Sequence, residues 1–142
     1  MATQLKRIEF KQCYPSMQQG LFITLSAKRL PKNQTEVNIG RTVSAALAEI
    51  STESRSAMVQ HVLSNAVATC TAVNMTHLEI LFSPGFHLDV IGALLALCRN
   101  RKICIAWPGT FLDGKLIYAT PDSLEYYECN PHALQDTYII ID

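Results

Sequence analysis

Compact apolar runs separated by stretches of helical spacing organise this sequence. Residues 3–20 carry Leu5, Ile8, Cys13 and Met17 at intervals that predict a first helix, interrupted near Pro15 and stopped by Gly20. Leu21, Phe22, Ile23, Thr24 and Leu25 follow as one β-branched and aromatic run, the mark of a strand covered on both faces in a parallel sheet. Residues 26–35 are polar, hold Lys28, Arg29, Pro31, Lys32 and Asn33, and read as a loop before a short strand over 36–39. Val43, Ala46, Leu47 and Ile50 share one face of a helix over 41–50. Ser51 or Thr52, with Glu53 and Ser54 behind it, caps a second helix that turns Met58, Val59, Val62 and Leu63 inward.

The second half repeats the alternation. Residues 67–73 are a strand candidate, and Leu78-Glu79-Ile80-Leu81-Phe82 continues the apolar character after a polar break, ended by a turn at Ser83-Pro84-Gly85. A helix over 89–99 is so apolar that most of its circumference must be covered, and a strand over 102–107 follows, terminated by Pro108-Gly109. Asp113-Gly114 is a tight-turn pair that joins 110–112 to 115–119 as a hairpin. Residues 125–129 alternate as an edge strand does, and Tyr138 to Ile141 read as a last buried strand. Strands alternating with helices through residue 107 predict an α/β fold: a mostly parallel sheet covered on both faces, in a single domain over 1–142. The N-terminal helix occupies 1–20, and the C-terminal β-hairpin over 110–129 is an appendage.

Composition narrows the function classes. At 142 residues, 49% apolar and 17% charged, the chain has the balance of an ordinary globular domain rather than a disordered one. Twelve basic residues balance twelve acidic ones, which argues against a protein that coats nucleic acid but leaves room for a local patch. The first twenty residues lack the apolar core of a secretory signal, and the longest apolar stretch, 90–98, is about half of what a bilayer crossing needs. A cytoplasmic location is the expectation. Five cysteines without C-x-x-C spacing read as small buried hydrophobes, and His61, His77, His87 and His132 are scattered without metal-binding spacing.

One set of motifs points to a family. Leu78-Glu79-Ile80-Leu81-Phe82-Ser83-Pro84, Leu88-Asp89, Arg99-Asn100-Arg101-Lys102, Ala106-Trp107-Pro108-Gly109-Thr110 and 113–121 with Glu125-Tyr126-Tyr127 resemble BrxF, the compact P-loop protein of some bacteriophage-exclusion (BREX) defence systems. The likeness is best from 78 to 127, and weaker back to Val37, where Val43-Ser44 and Leu47-Ala48-Glu49-Ile50 echo a family helix. It implies a three-layer sheet of P-loop NTPase type, with a phosphate-binding loop after the first strand and an acid ending a later one. In such sites glycines let backbone N–H groups approach phosphates, while a Lys and a Mg²⁺ held by Ser/Thr and Asp neutralise charge. Here residues 26–35 contain no glycine, include Pro31, and span ten positions where a cradle and its helix need roughly twenty. Asn74-Met75-Thr76-His77 stands where the magnesium-binding acid is expected, and neither Asn74 nor Thr76 supplies an anionic ligand.

The expectation is therefore a degenerate P-loop-type scaffold without catalytic residues, metal or cofactor, whose partners are other defence proteins such as a large ATPase or a methyltransferase. Two alternatives stay open: an NTPase completed by a neighbouring subunit, and an oligomer that binds DNA without sequence preference. Lys28, Arg29 and Lys32 are candidate contacts for nucleotide or DNA phosphates, as are Arg99, Arg101 and Lys102, although cations after a helix also satisfy its dipole. Trp107, Phe111, Tyr118, Tyr126 and Tyr127 are the candidate partner surface, with Trp107 equally readable as an aromatic lid. The apolar helix 89–99 and the Tyr-rich hairpin make a homo-oligomer the expected state.

Overall fold

The computed structural model describes residues 2–141. Six strands form one wholly parallel sheet: β1 (Thr3–Lys6), β2 (Gly20–Thr24), β3 (Thr35–Asn38), β4 (Ala72–Thr76), β5 (Lys102–Ala106) and β9 (Thr137–Ile141), in the order β1-β9-β2-β5-β4-β3. Between β5 and β9 the chain makes a separate antiparallel sheet of β6 (Thr110–Leu112), β7 (Lys115–Tyr118) and β8 (Tyr127–Cys129). The helices are α1 (Arg7–Cys13), α2 (Ile39–Leu47), α3 (Thr52–Ala66) and α4 (Val90–Leu97). No described helix is long and apolar enough to cross a membrane.

Right-handed crossovers fix which layer each connection occupies, because steps in opposite directions across the sheet must run over opposite faces. The steps β3 to β4, β4 to β5 and β5 to β9 share one direction. Their connections, α2 with α3, α4, and the antiparallel sheet, pack on the face that presents Leu21, Ile23, Met75, Ile103, Ile105 and Ile139. The steps β1 to β2 and β2 to β3 go the other way, and α1 and the β2–β3 crossover accordingly lie on the second face, over Phe22, Cys104 and Ile140. That second face is thin. Where a helix would cover it, the β2–β3 crossover has a single 3-10 turn at Ala27–Arg29 and one buried side chain, Leu30.

Several sequence expectations need correction. Residues 3–6 are an edge strand, not the start of a helix, because Thr3 to Lys6 pair in register with Tyr138 to Ile141. Only Arg7–Cys13 is α-helical, with the Lys6 amide donating to Glu9 Oε1 at 2.9 Å. Gly20 is the first residue of β2 rather than a helix stop, at φ 139, where a Cβ would press on the rings of Tyr138 and Phe22. The strand expected over 67–73 lies at Ala72–Thr76, because α3 runs to Ala66 and Val67 belongs to the turn after it. Residues 78–82 form a 3-10 turn that buries Leu78, Leu81 and Phe82. At the start of α3 the cap is Ser51, whose hydroxyl meets Ser54 Oγ at 3.1 Å; the side chains of Thr52 and Glu53 lie outside the described residues.

The hairpin is not an appendage. Leu116 and Cys129 are buried in the main core, and Tyr127 donates from its hydroxyl to Asp89 Oδ1 at 2.6 Å while accepting from the Ile91 amide at 3.1 Å, tying β8 to the start of α4. The turn itself has the expected chemistry, with Asp113 at φ 53 and Gly114 at φ 77. The Trp107-Pro108-Gly109 motif locks this sheet in place: the Trp107 indole N–H donates to the Ile117 carbonyl at 3.0 Å, and a Cβ on Gly109 would collide with that same oxygen. The colliding partner is backbone in a paired strand, so relief requires moving β7. Gly109→Ala is expected to lower stability by about 2 kcal/mol or more in urea titration. Gly85→Ala, where an added Cβ meets nothing within 4 Å, should change it by less than about 0.5 kcal/mol.

Candidate anion-binding groove

A parallel sheet of this kind offers ligands a crevice beyond the carboxyl ends of two neighbouring strands whose onward connections part to opposite faces. Here those strands are β2 and β5. The crevice between them is closed by the chain itself. The Trp107 amide donates to the Thr24 carbonyl at 2.8 Å, extending the β2–β5 ladder by one rung, and the Thr24 hydroxyl donates to the Ser26 carbonyl at 2.9 Å. Beyond this point Ser26 is extended, at φ −147 and ψ 130, and its Oγ accepts the Lys28 amide at 3.4 Å. After the 3-10 turn, Leu30 is extended again, at φ −65 and ψ 146.

From there the crossover is pinned to the sheet by a directional chain of polar groups. The row across this face reads Tyr138, Phe22, Cys104, Asn74 and Glu36 in register. The Cys104 thiol donates to the Tyr14 hydroxyl at 3.3 Å, Tyr14 to Gln34 Oε1 at 2.7 Å, the Gln34 amide to Asn74 Oδ1 at 2.7 Å, and the Asn74 amide to the Pro31 carbonyl at 2.5 Å. Tyr14, Gln34 and Asn74 each donate onward and accept from behind, an arrangement in which hydrogen bonds strengthen one another away from water. Asn74, 4% exposed, thus stands where the resemblance expects a magnesium-binding acid, and its whole amide is used to fasten the crossover. Lys102 closes the far end, with Nζ 3.0 Å from the Tyr14 carbonyl and 4.0 Å from the centre of its ring.

Between α1 and this crossover lies an open groove of about 410 Å³. Arg7 and Lys11, one helical turn apart, stand on the α1 side, and Lys28, Arg29 and Lys32 stand on the other. Its floor is apolar, made by Phe10, Leu30 and Ile140, and no acidic side chain among the described residues lines it. The three cations read from the sequence are thus brought together with two that the sequence reading missed. An i, i+4 pair of cations on α1 was visible; what brings it opposite residues 28–32 is the insertion of β9 between β1 and β2, which no local pattern announces.

The second basic run has a different place. The Arg101 guanidinium donates to the Leu97 carbonyl at 2.9 Å and the Cys70 carbonyl at 3.2 Å, so it caps the C-terminal end of α4 as the dipole argument allows, and Lys102 is committed to Tyr14. Arg99 lines a separate cavity of about 280 Å³ with Gln19, Gln135 and Asp136. Arg99, Arg101 and Lys102 therefore form no common phosphate site with Lys28, Arg29 and Lys32.

Among the aromatic candidates, Trp107 is 3% exposed and acts as the lid, edge-on to Phe82. As a surface anchor it is ruled out by that burial. Tyr118 stacks on Phe82 with ring centres 3.9 Å apart, Tyr127 holds Asp89, and Phe111 is half-buried against the same core. Tyr126 sits outermost, donating to Glu128 Oε2 at 2.7 Å beside the Lys115–Glu128 ion pair at 2.8 Å. The apolar face of α4 is likewise used internally: Val90, Ile91, Ala93, Leu94 and Leu97 are all buried, which removes it as a basis for self-association.

The thiols are set against nucleophilic work. Burial pushes the Cys104 thiol up to about 11 and the Cys98 thiol up to about 12, from an ordinary 9.0, and it raises the Tyr14 hydroxyl as well. No family model, curated protein or solved structure matches the chain.

Two expectations follow. A thiol pKa raised on folding means that the native chain binds more protons than the unfolded one between pH 9 and 11, so stability is intact below about pH 9 and falls as pH rises through that window. Urea titrations at several pH values should show this fall, reduced in Cys104→Ala. Asn74→Ala strands the Gln34 amide and the Pro31 carbonyl, and should cost about 1–3 kcal/mol in the same assay.

Proposed function

We propose that this chain is a non-catalytic, degenerate P-loop-type adaptor of a BREX-like defence complex, acting by binding rather than by hydrolysis. The observation that carries the reading is the closure of the β2–β5 crevice: Trp107 zips it, and the crossover leaves in extended conformation, fastened to Asn74. Descent from a P-loop fold is supported by the placing of the first long strand, β2, at the centre of the sheet between two strands that come much later. The resemblance of residues 78–127 to BrxF supports the same ancestry, and the Trp-Pro-Gly part of it has a folding role in this chain that a protein without nucleotide would still need.

An adaptor of this kind retains the sheet and loses the cradle. Its expected partners are the larger components of such a complex, an ATPase or a methyltransferase, and genes for these beside its own would support the assignment. The direct test is thermal unfolding with and without millimolar Mg-ATP. A ligand present at 100 times its dissociation constant stabilises by about 2.7 kcal/mol, so even modest affinity raises the melting temperature by several degrees. No shift is expected for this chain. A Mg²⁺-dependent rise that vanishes in Lys28→Ala would instead establish a nucleotide site and overturn the reading.

A further inference from the structure

We propose that the groove between α1 and the β2–β3 crossover binds single-stranded nucleic acid, held through its phosphates without sequence preference. The inference rests on the reading above that the chain acts by binding, and it names the ligand class.

Charge is the first argument. The chain is neutral overall, with twelve basic and twelve acidic residues, yet five of those twelve cations line this one groove and no described acid does. Such a concentration is not a by-product of general basicity. It raises the local potential toward anions.

Shape narrows the partner. The cations come from two facing walls, Arg7 and Lys11 on a helix, Lys28 on the 3-10 turn of the crossover and Lys32 just after it, so a linear polyanion laid between them meets positive charge on both sides. Arg7 and Lys11 are one turn apart, about 6 Å, which matches the step between successive phosphates of a strand. Arg7 on the helical wall brings a planar, weakly hydrated fork that suits phosphate oxygens.

Apolar surface separates nucleic acid from a simple inorganic anion. Pro15 and Pro31, neither of them buried, offer such surface beside the cations, which does nothing for free phosphate but receives sugar and base faces. A positively charged groove that tracks the backbone is a recurrent part of the solution for single strands of any sequence. Acidic peptide is the competing occupant, and the same experiment decides between the two.

The test uses the full chain and fluorescein-labelled oligothymidylate of about twenty nucleotides, longer than the sites of about 4–16 nucleotides that such grooves occupy. Fluorescence anisotropy should show binding at low salt that weakens steeply as salt rises. Arg7→Ala with Lys11→Ala, and Lys28→Ala with Lys32→Ala, should each weaken it about tenfold or more. Each pair should also make the slope of log K against log salt shallower, by about 0.7 for every phosphate that the removed side chains neutralised. Arg99→Ala, in the separate cavity, should bind as the parent does. Arg7, Lys11, Lys28 and Lys32 are all exposed, so urea midpoints should be unchanged; where one shifts, the glutamine versions Arg7→Gln, Lys11→Gln, Lys28→Gln and Lys32→Gln replace the alanine ones.

The proposal is overturned by absence of binding at low salt, by a duplex of equal length binding as tightly, by polyglutamate of equal charge displacing the oligonucleotide equally well, or by dependence on one wall alone. If oligothymidylate fails while Mg-ATP remains inert, only this inference falls and the adaptor reading stands. If Mg-ATP binds, the adaptor reading falls and the groove is judged on the wall variants alone.

Discussion

The β2–β3 connection must cross the α1 face of the sheet, because the step it makes runs in the same direction as β1 to β2 and right-handed crossovers leave no other layer. Only ten residues, 26–35, separate the first long apolar run from the next strand's core, and they form no α-helix. Everything distinctive about this face follows from that shortage. A helix would satisfy its own backbone and present apolar side chains to the strands. This crossover does little of either, with one 3-10 turn and one buried apolar side chain, so the sheet supplies polar groups to hold it, and Asn74 appears at a strand centre where a hydrophobe is usual.

The same economy opens the groove. With α1 only seven residues long and the crossover no wider than a single strand, the two do not meet over β9 and leave an apolar channel. Both rims carry exposed cations. The chain at the carboxyl ends of β2 and β5 and the open groove beside α1 both depend on a crossover without an α-helix.

Much of this architecture was legible in the pattern of residues. Leu21 to Thr24, 102–106 and the last apolar run announce buried parallel strands because they are covered on both faces, and Asp113-Gly114 specifies its turn by chemistry alone. The short edge strand β1 was not legible. Its residues, Thr3, Gln4, Leu5 and Lys6, have one inward side chain among polar ones, and pairing with β9 across more than 130 positions is what makes them a strand. β4 was misplaced because its second face carries Asn74 and Thr76, which read as a polar break until the strap that binds Asn74 is known. The absence of a phosphate loop could be read from glycine-free residues 26–35; the convergence of Arg7 and Lys11 with Lys28 to Lys32 could not, since it depends on strand order.

The central claim is that main-chain amides after β2 are committed within the crossover and do not gather around phosphate. Amide hydrogen exchange across residues 25–34, measured with and without saturating Mg-ATP, reads this directly. The account predicts identical exchange in both conditions, with the slowest amides at Arg29 and Leu30, which donate to the Ser26 and Ala27 carbonyls. Protection of the Ser26 to Arg29 amides appearing only with Mg-ATP would contradict it.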